Sequence, residues 1–204
     1  MTNPASTLGP VSWERMIRGV EKVRERLVRA ARALELAGVP YAVVGGNAVA
    51  AHVSRVDESA VRTTRDVDVL LRPADLDAAR RALENAGFIH RRIAGLGMPV
   101  GMDVFLDGPT ATVRDALHVV RAGEKVRPDS VHPAPDVSES EPAGGFQLVT
   151  LAALVRMKLT SFRDRDRTHL RDFLELGLID ASWCESLPEP LDSRLKDLLD
   201  HPES

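Results

Sequence analysis

The sequence predicts an α/β (α+β) fold, and three features carry that prediction. Apolar residues recur at helical spacing over residues 12–37; two β-prone runs, Tyr41–Val44 and 66–71, bracket a Gly-Gly turn and a small-residue helix; helical patterning returns at Thr150 after a stretch rich in Pro, Ser, Glu and Gly. Helix and strand signals therefore alternate first, and helices alone follow.

In chain order, residues 1–9 are a small, polar lead-in. Over 12–37 the stripe Trp13, Ile17, Val20, Val23, Leu27, Val28, Ala31 and Leu34 predicts an amphipathic helix, interrupted near Gly19 and closed at Gly38 with Pro40 just beyond. Tyr41–Val44 reads as a buried strand running into Gly45-Gly46, and Asn47 as the cap of a helix over 48–52. A polar loop over 54–65 leads to a strand over 66–71, which Pro73 ends. A helix over 74–86 places Leu76, Ala79 and Leu83 inward and stops at Gly87. Strands over 88–94 and 100–106 are joined by a turn at Gly95-Leu96-Gly97-Met98-Pro99, and 112–121 is expected to be a short helix. Composition then divides the chain into a core with its N-terminal helix (1–121), a linker-like stretch (122–147) and a C-terminal helical segment (148–204). In that last segment Thr150 caps a helix with the stripe Leu151, Leu154, Val155, Leu159 and Phe162; a further helix carries His169, Asp172 and Phe173, and Trp183 and Leu187 pack the end.

The bulk numbers set limits. A chain of 204 residues, 44% hydrophobic and 28% charged, has the composition of a globular protein with one core and a smaller appendage. A net charge of −3 argues against broad electrostatic attraction to nucleic acid, while leaving room for local Arg clusters. One cysteine, Cys184, excludes an intrachain disulfide and a cysteine-based zinc site. No early segment has signal-peptide character and no apolar run approaches the roughly 18 residues of a membrane span, so a cytoplasmic location is expected.

Chemistry concentrates between Tyr41 and Leu71. Glycines at a strand-to-helix turn let backbone approach a ligand, and the first N–H groups of the helix lack partners, so Gly45-Gly46 reads as a phosphate cradle. Asp66 and Asp68 are two apart on a strand, which turns both carboxylates to one face while Val67 and Val69 enter the core. Such a pair either lies on a solvated strand or offers hard oxygen ligands to Mg²⁺ from one rigid element. Asp103 lies in an apolar alternation and is either a third carboxylate or an edge-strand aspartate, whereas Asp107 reads as a turn residue. Lys158 lies on the inward side of its helix; it either meets an anion or snorkels from the edge. His169 and Asp172 share a helical face without further ligands at metal spacing, and a structural Asp–Lys or Asp–Arg pair is the expectation there.

Taken together, GGNA after a strand, then R-x-T-x-D-x-D as Arg62, Thr64, Asp66 and Asp68, then Asp103, resembles the nucleotidyltransferase superfamily (DNA polymerase beta-like). More narrowly it is similar to the minimal nucleotidyltransferases and the abortive-infection (AbiEii-type) toxin group. The string LVTLAALVRMKLTSFRDRDRTHLRDFLEL resembles that group's lysine-bearing helix and arginine-rich turn. The resemblance implies the nucleotidyltransferase fold: a small mixed sheet flanked by helices, with a C-terminal helical segment completing a cleft. It implies metal-dependent transfer of a nucleoside monophosphate from an NTP to a hydroxyl. Asp66, Asp68 and Asp103 would hold two Mg²⁺ (or Mn²⁺) ions, with Asp103 helping to deprotonate the acceptor. Gly45, Gly46, Asn47, Arg62, Thr64, Arg65 and Lys158 would bind the nucleotide. The second glycine is a departure, since Ser or Thr is common there, and any hydroxyl contact must come from elsewhere. The acceptor is a protein, a tRNA end or a small molecule such as an aminoglycoside or lincosamide, and a toxin would have an antitoxin partner. A non-catalytic binding protein of the same fold is the alternative.

Overall fold

The computed structural model describes residues 12–95 and 98–202. The lead-in of residues 1–9 and the centre of the expected hairpin turn, Leu96-Gly97, lie outside the described residues. Strands β1 (Tyr41–Val44), β2 (Val67–Leu71), β3 (Ile89–Gly95), β4 (Met98–Leu106), β5 (Leu117–Arg121), β6 (Ser140–Pro142) and β7 (Gln147–Val149) form one mixed sheet in the order β3-β4-β5-β2-β1-β7-β6. Helices are α1 (Trp13–Leu36), α2 (Gly45–Ser54), α3 (Leu76–Asn85), α4 (Leu151–Ser161), α5 (Asp164–Glu175) and α6 (Leu191–Asp200). No described helix is long and apolar enough to cross a membrane.

Alternation along the central strands gives the sheet two differently furnished faces. Val67, Val69 and Leu71 of β2, Leu117 and Val119 of β5, and Phe105 of β4 pack with Leu27, Ala30, Ala31 and Leu34 of α1 and Ala79 and Leu83 of α3. On the other face Ala42, Val44 and Leu70 pack with Ala48, Val49 and Val53 of α2, Leu154, Val155 and Leu159 of α4, and Phe173 of α5. The site lies on this second face, beside the apolar ground under α2 and α4.

Several elements differ from the sequence-based expectation. α1 runs unbroken through Gly19, and only its second half packs; Trp13, Met16, Ile17 and Val20 are exposed. Residues 117–121, expected to be helical, are β5, which pairs parallel to β2 with Asp68 opposite His118 and Leu71 opposite Arg121. Burial of alternate Leu117 and Val119 overrides a weak helical pattern. The linker-like stretch sends Ala134 and Val137 into the core, and β7 follows it directly to pair parallel with β1.

The β3–β4–β5 end of the sheet is tied by charge. Asp103 of β4 is 5% exposed and accepts from Arg121 Nη2 of β5 at 2.7 Å, Arg92 Nη2 of β3 at 3.1 Å and His90 Nε2 at 2.9 Å. Burial alone would raise its pKa, but hydrogen bonds from Arg121, His90 and Arg92 outweigh it and hold the carboxyl below its ordinary value. Removing this charge leaves Arg121 facing a neutral partner in a largely dry site, so Asp103→Asn is expected to cost about 3 kcal/mol of stability. Urea denaturation at pH 7 reads this directly, and an unchanged midpoint would show that the three strands do not depend on the clamp.

Candidate active site

β1 delivers the chain straight into α2. Gly45 has φ +67°, a conformation that favours glycine, and a Cβ placed there would overlap the Asp68 carboxylate. At Gly46 a Cβ would lie 2.9 Å from the Thr64 Cβ. Both glycines therefore make room for residues of the second strand segment. The first N–H groups of a helix lack intrahelical partners, no side chain caps α2, and Gly45 and Gly46 at its start line the cleft. Asn47 does not cap α2, whose N-cap position is Val44; its side-chain amide donates to Asp66 O at 2.8 Å, pinning the segment before β2 to the first turn of the helix. Arg26 of α1 holds the same segment from behind, donating to Arg65 O at 2.9 Å.

Asp66 precedes β2 in a bend and Asp68 lies within the strand, yet the two carboxylates converge. The Thr64 hydroxyl donates to Asp66 Oδ1. His118 of β5 brings Nδ1 to 3.4 Å from Asp68 Oδ1 and 3.9 Å from Asp66 Oδ2, while its Nε2 donates to Val113 O at 2.8 Å. Burial would depress the His118 pKa, but Asp68, the Val113 carbonyl and Asp66 outweigh it and raise it above the ordinary value. One donor atom from each of Asp66, Asp68 and His118 lies within 4.8 Å of the others. Two converging carboxylates and an imidazole fit a divalent cation.

Facing this group, across a cleft of about 740 Å³, is the wall built by α4, α5 and α6. Thr150 caps α4 by accepting from Ala153 N. The helix ends at Phe162, whose φ of +47° is uncommon for a residue with a side chain. The guanidinium groups of Arg167 and Arg194 lie 4.7 and 5.2 Å from its ring centroid, and Arg194 Nη1 donates to the C-terminal carbonyls of Leu159 and Thr160 at 2.6 and 2.9 Å. This turn lets α5 double back so that Lys158 Nζ meets Asp166 Oδ1 at 2.9 Å, both buried. Burial would raise the Asp166 pKa; the charge of Lys158 and its hydrogen bond outweigh that and lower it. His169, next to this pair, is 7% exposed and its Nδ1 has no hydrogen-bond partner. Burial first, then the charge of Lys158, push it down to about 4.

The structure thus brings Gly45, Gly46, Thr64, Asp66, Asp68, Arg62 and Lys158 to one cleft. Arg62 is engaged there by Asp172, through Nε at 2.8 Å and Nη2 at 3.0 Å, an Asp–Arg pair of the kind the sequence led us to expect at Asp172. Arg65 turns away to Asp115 and does not line the cleft. Asp103 is the main correction: its alternation along β4 places it with Phe105 on the α1/α3 face, opposite to Asp68, where two guanidinium groups and the His90 ring occupy its oxygens. It does not stand beside the carboxylate pair. His118, absent from the sequence-based site, takes that place. Its signal was the alternation Leu117, His118, Val119 read as a strand, but only the pairing with β2 shows that it faces Asp68. The Thr64 hydroxyl lies across the turn from Gly46 and is engaged by Asp66.

No family model and no curated protein matches the sequence. Solved structures match it in fold. A protein from H. pylori provisionally described as a nucleotidyltransferase superposes with a TM-score of 0.50 at 18% identity, over 95% of this chain and 80% of that one. JHP933 from Helicobacter pylori (TM-score 0.48, 20% identity, 95% of this chain and 78% of that one) and the antibiotic-resistance factor ANT(2'')-Ia (TM-score 0.46, 16% identity, 93% of each) are similar at lower TM-scores. On the first of these matches, with its mixed sheet flanked by helices, this chain has a nucleotidyltransferase fold. At such identities the likeness is one of fold.

His169 gives the site's helical wall a pH signature. Its folded value near 4 lies below the ordinary 6.5, so as pH falls the unfolded chain takes the proton first. Stability is therefore full above about pH 6.5 and declines between there and pH 4, by on the order of 3 kcal/mol from this group. His52, also lowered by burial, acts in the same direction. His169→Gln should lose less stability than the wild type between pH 7 and 4 in thermal unfolding; an equally steep variant would show that His169 titrates normally.

Proposed function

We propose that the protein is a nucleotidyltransferase, moving a nucleoside monophosphate from an NTP to a hydroxyl. The observation that carries this reading is the convergence of Asp66 and Asp68 beside the uncapped N-terminus of α2, within one cleft of a nucleotidyltransferase fold. Backbone donors at Gly45 and Gly46 bind phosphate oxygens, helped by the positive end of the α2 dipole. Thr64 and Asn47 fix where Asp66 sits, and the absence of a Cβ at Gly45 lets Asp68 reach the same point. Asp66 and Asp68 would hold a divalent cation, which when bound neutralises charge on the reacting phosphate and lowers the pKa of the attacking hydroxyl. Lys158 presents a cation from the opposite wall, positioned by Asp166.

Charge on that wall narrows the acceptor. Apart from Asp66 and Asp68, basic side chains outnumber acidic ones around the cleft, with Lys125, Arg127, Arg163, Arg165 and Arg194 against Glu124, Asp129 and Asp166. Such a lining favours an anionic acceptor such as an RNA end over a cationic drug, and it neutralises the triphosphate as well. A toxin role is supported by the resemblance of the Arg62–Asp68 and Lys158 segments to the abortive-infection group; growth arrest on expression, relieved by Asp68→Asn, is what that role requires.

Transfer of α-labelled nucleotide from each of the four NTPs to tRNA or cell-extract acceptors, with Mg²⁺ or Mn²⁺, tests the activity. Asp66→Asn and Asp68→Asn should each lower labelling by at least about a hundredfold, since each removes charge stabilisation needed only in the transition state. Labelling that persists unchanged in either variant would sink the reading.

A further inference from the structure

His118 is the residue that the fold sets beside the carboxylate pair, and its ring is already oriented for one task. Nε2 donates to Val113 O at 2.8 Å, which consumes that nitrogen as a donor and leaves Nδ1 to face Asp68 Oδ1 at 3.4 Å and Asp66 Oδ2 at 3.9 Å. A backbone carbonyl that fixes the tautomer and aim of an imidazole is the usual outer support of a metal-bound histidine. Position is equally constrained: Asp68 and His118 are direct partners in the parallel register of β2 and β5, two interior strands of the sheet. The carboxylate that would otherwise be sought nearby, Asp103, is committed to Arg121, Arg92 and His90 on the far face.

We propose that His118 is the third ligand of the cation site, and that this mixed oxygen and nitrogen set makes the site favour a first-row transition cation, with Mn²⁺ as the test ion, over Mg²⁺. Mg²⁺ demands near-ideal octahedral geometry and gives up water reluctantly, whereas an imidazole nitrogen suits the first-row transition ions, of which Mn²⁺ binds the weakest and is therefore the most demanding test ion. The inference rests on the nucleotidyltransferase reading only for the use of the site; binding itself requires no nucleotide. The competing role for His118 is that of a charge partner, an imidazolium that balances the two aspartates. The two roles part when a cation is added: a ligand binds it through nitrogen, and a charge partner is displaced from it.

The experiment is Mn²⁺ binding to the full chain without nucleotide, by calorimetry and by pulsed electron paramagnetic resonance. The expected result is one bound Mn²⁺ with nitrogen modulation from a single imidazole, and Mg²⁺ binding at least about tenfold weaker. His118→Gln should abolish the modulation and weaken Mn²⁺ by at least about tenfold, while His118→Asp should narrow the gap between the two ions. If His118→Gln fails to fold, the wild-type spectrum decides alone. Mn²⁺ bound without nitrogen modulation, or no Mn²⁺ bound, overturns the proposal even if Mg²⁺-supported transfer is found. Nitrogen modulation in a protein that transfers no nucleotide would uphold it and overturn the proposed function instead.

Discussion

A charged pair can stand in the middle of a sheet only where the strand has one face for the core and another for a cleft, and β2 meets that condition. Val67, Val69 and Leu71 are buried under α1 and α3, and that apolar packing anchors the strand. Asp68 alternates to the opposite side, where α2 begins beside it and α4 lies under Leu70 two residues on. The carboxylate is therefore at the mouth of an opening between sheet and helices, not beneath either. Two such charges within 4.8 Å repel, and the fold sets the Thr64 hydroxyl and the positive end of α2 against them, with the His118 ring alongside.

Close approach matters as much as charge. At Gly45 a side chain would occupy the space of the Asp68 carboxylate, and at Gly46 it would press on Thr64. The same two glycines admit Asp68 itself and Thr64, whose hydroxyl holds Asp66. The Gly-Gly turn and the carboxylate pair are thus one packing unit, tied further by the Asn47 amide on Asp66 O. On the opposite wall the left-handed turn at Phe162, braced by Arg167 and Arg194, sets α5 against α4 and brings Lys158 to Asp166. A buried ion pair of this kind contributes little net stability but leaves each partner costly to remove, which makes it a means of positioning.

Much of the molecule was legible before any coordinates. Strands β1 and β2, the helices at α1, α3, α4 and α5, and the pairing of the Gly-Gly turn with Asp66 and Asp68 follow from local pattern, because alternation, caps and glycine act over a few residues. Lys158 was readable as an inward cation for the same reason. Asn47, by contrast, had the right type and place for a cap and is used for a tertiary contact, since the chain enters α2 directly from β1. β5 was misread because five residues hold too little pattern to separate a buried strand from a short helix, and its parallel partner lies some fifty residues earlier in the chain.

By itself the sequence determined the donor chemistry: which carboxylates, which glycines, which basic residues exist, and how those within one element are spaced. What only the tertiary structure decided is which of them meet. Asp103 and His118 illustrate the division, since strand alternation fixes that neighbours along a chain face opposite ways, but only the register of β4, β5 and β2 determines which face is which. That register turned the expected third carboxylate into the clamp of β3, β4 and β5, and put an imidazole beside the aspartate pair. Contacts of this range depend on the summed burial of both sheet faces, a quantity no single stretch of sequence contains.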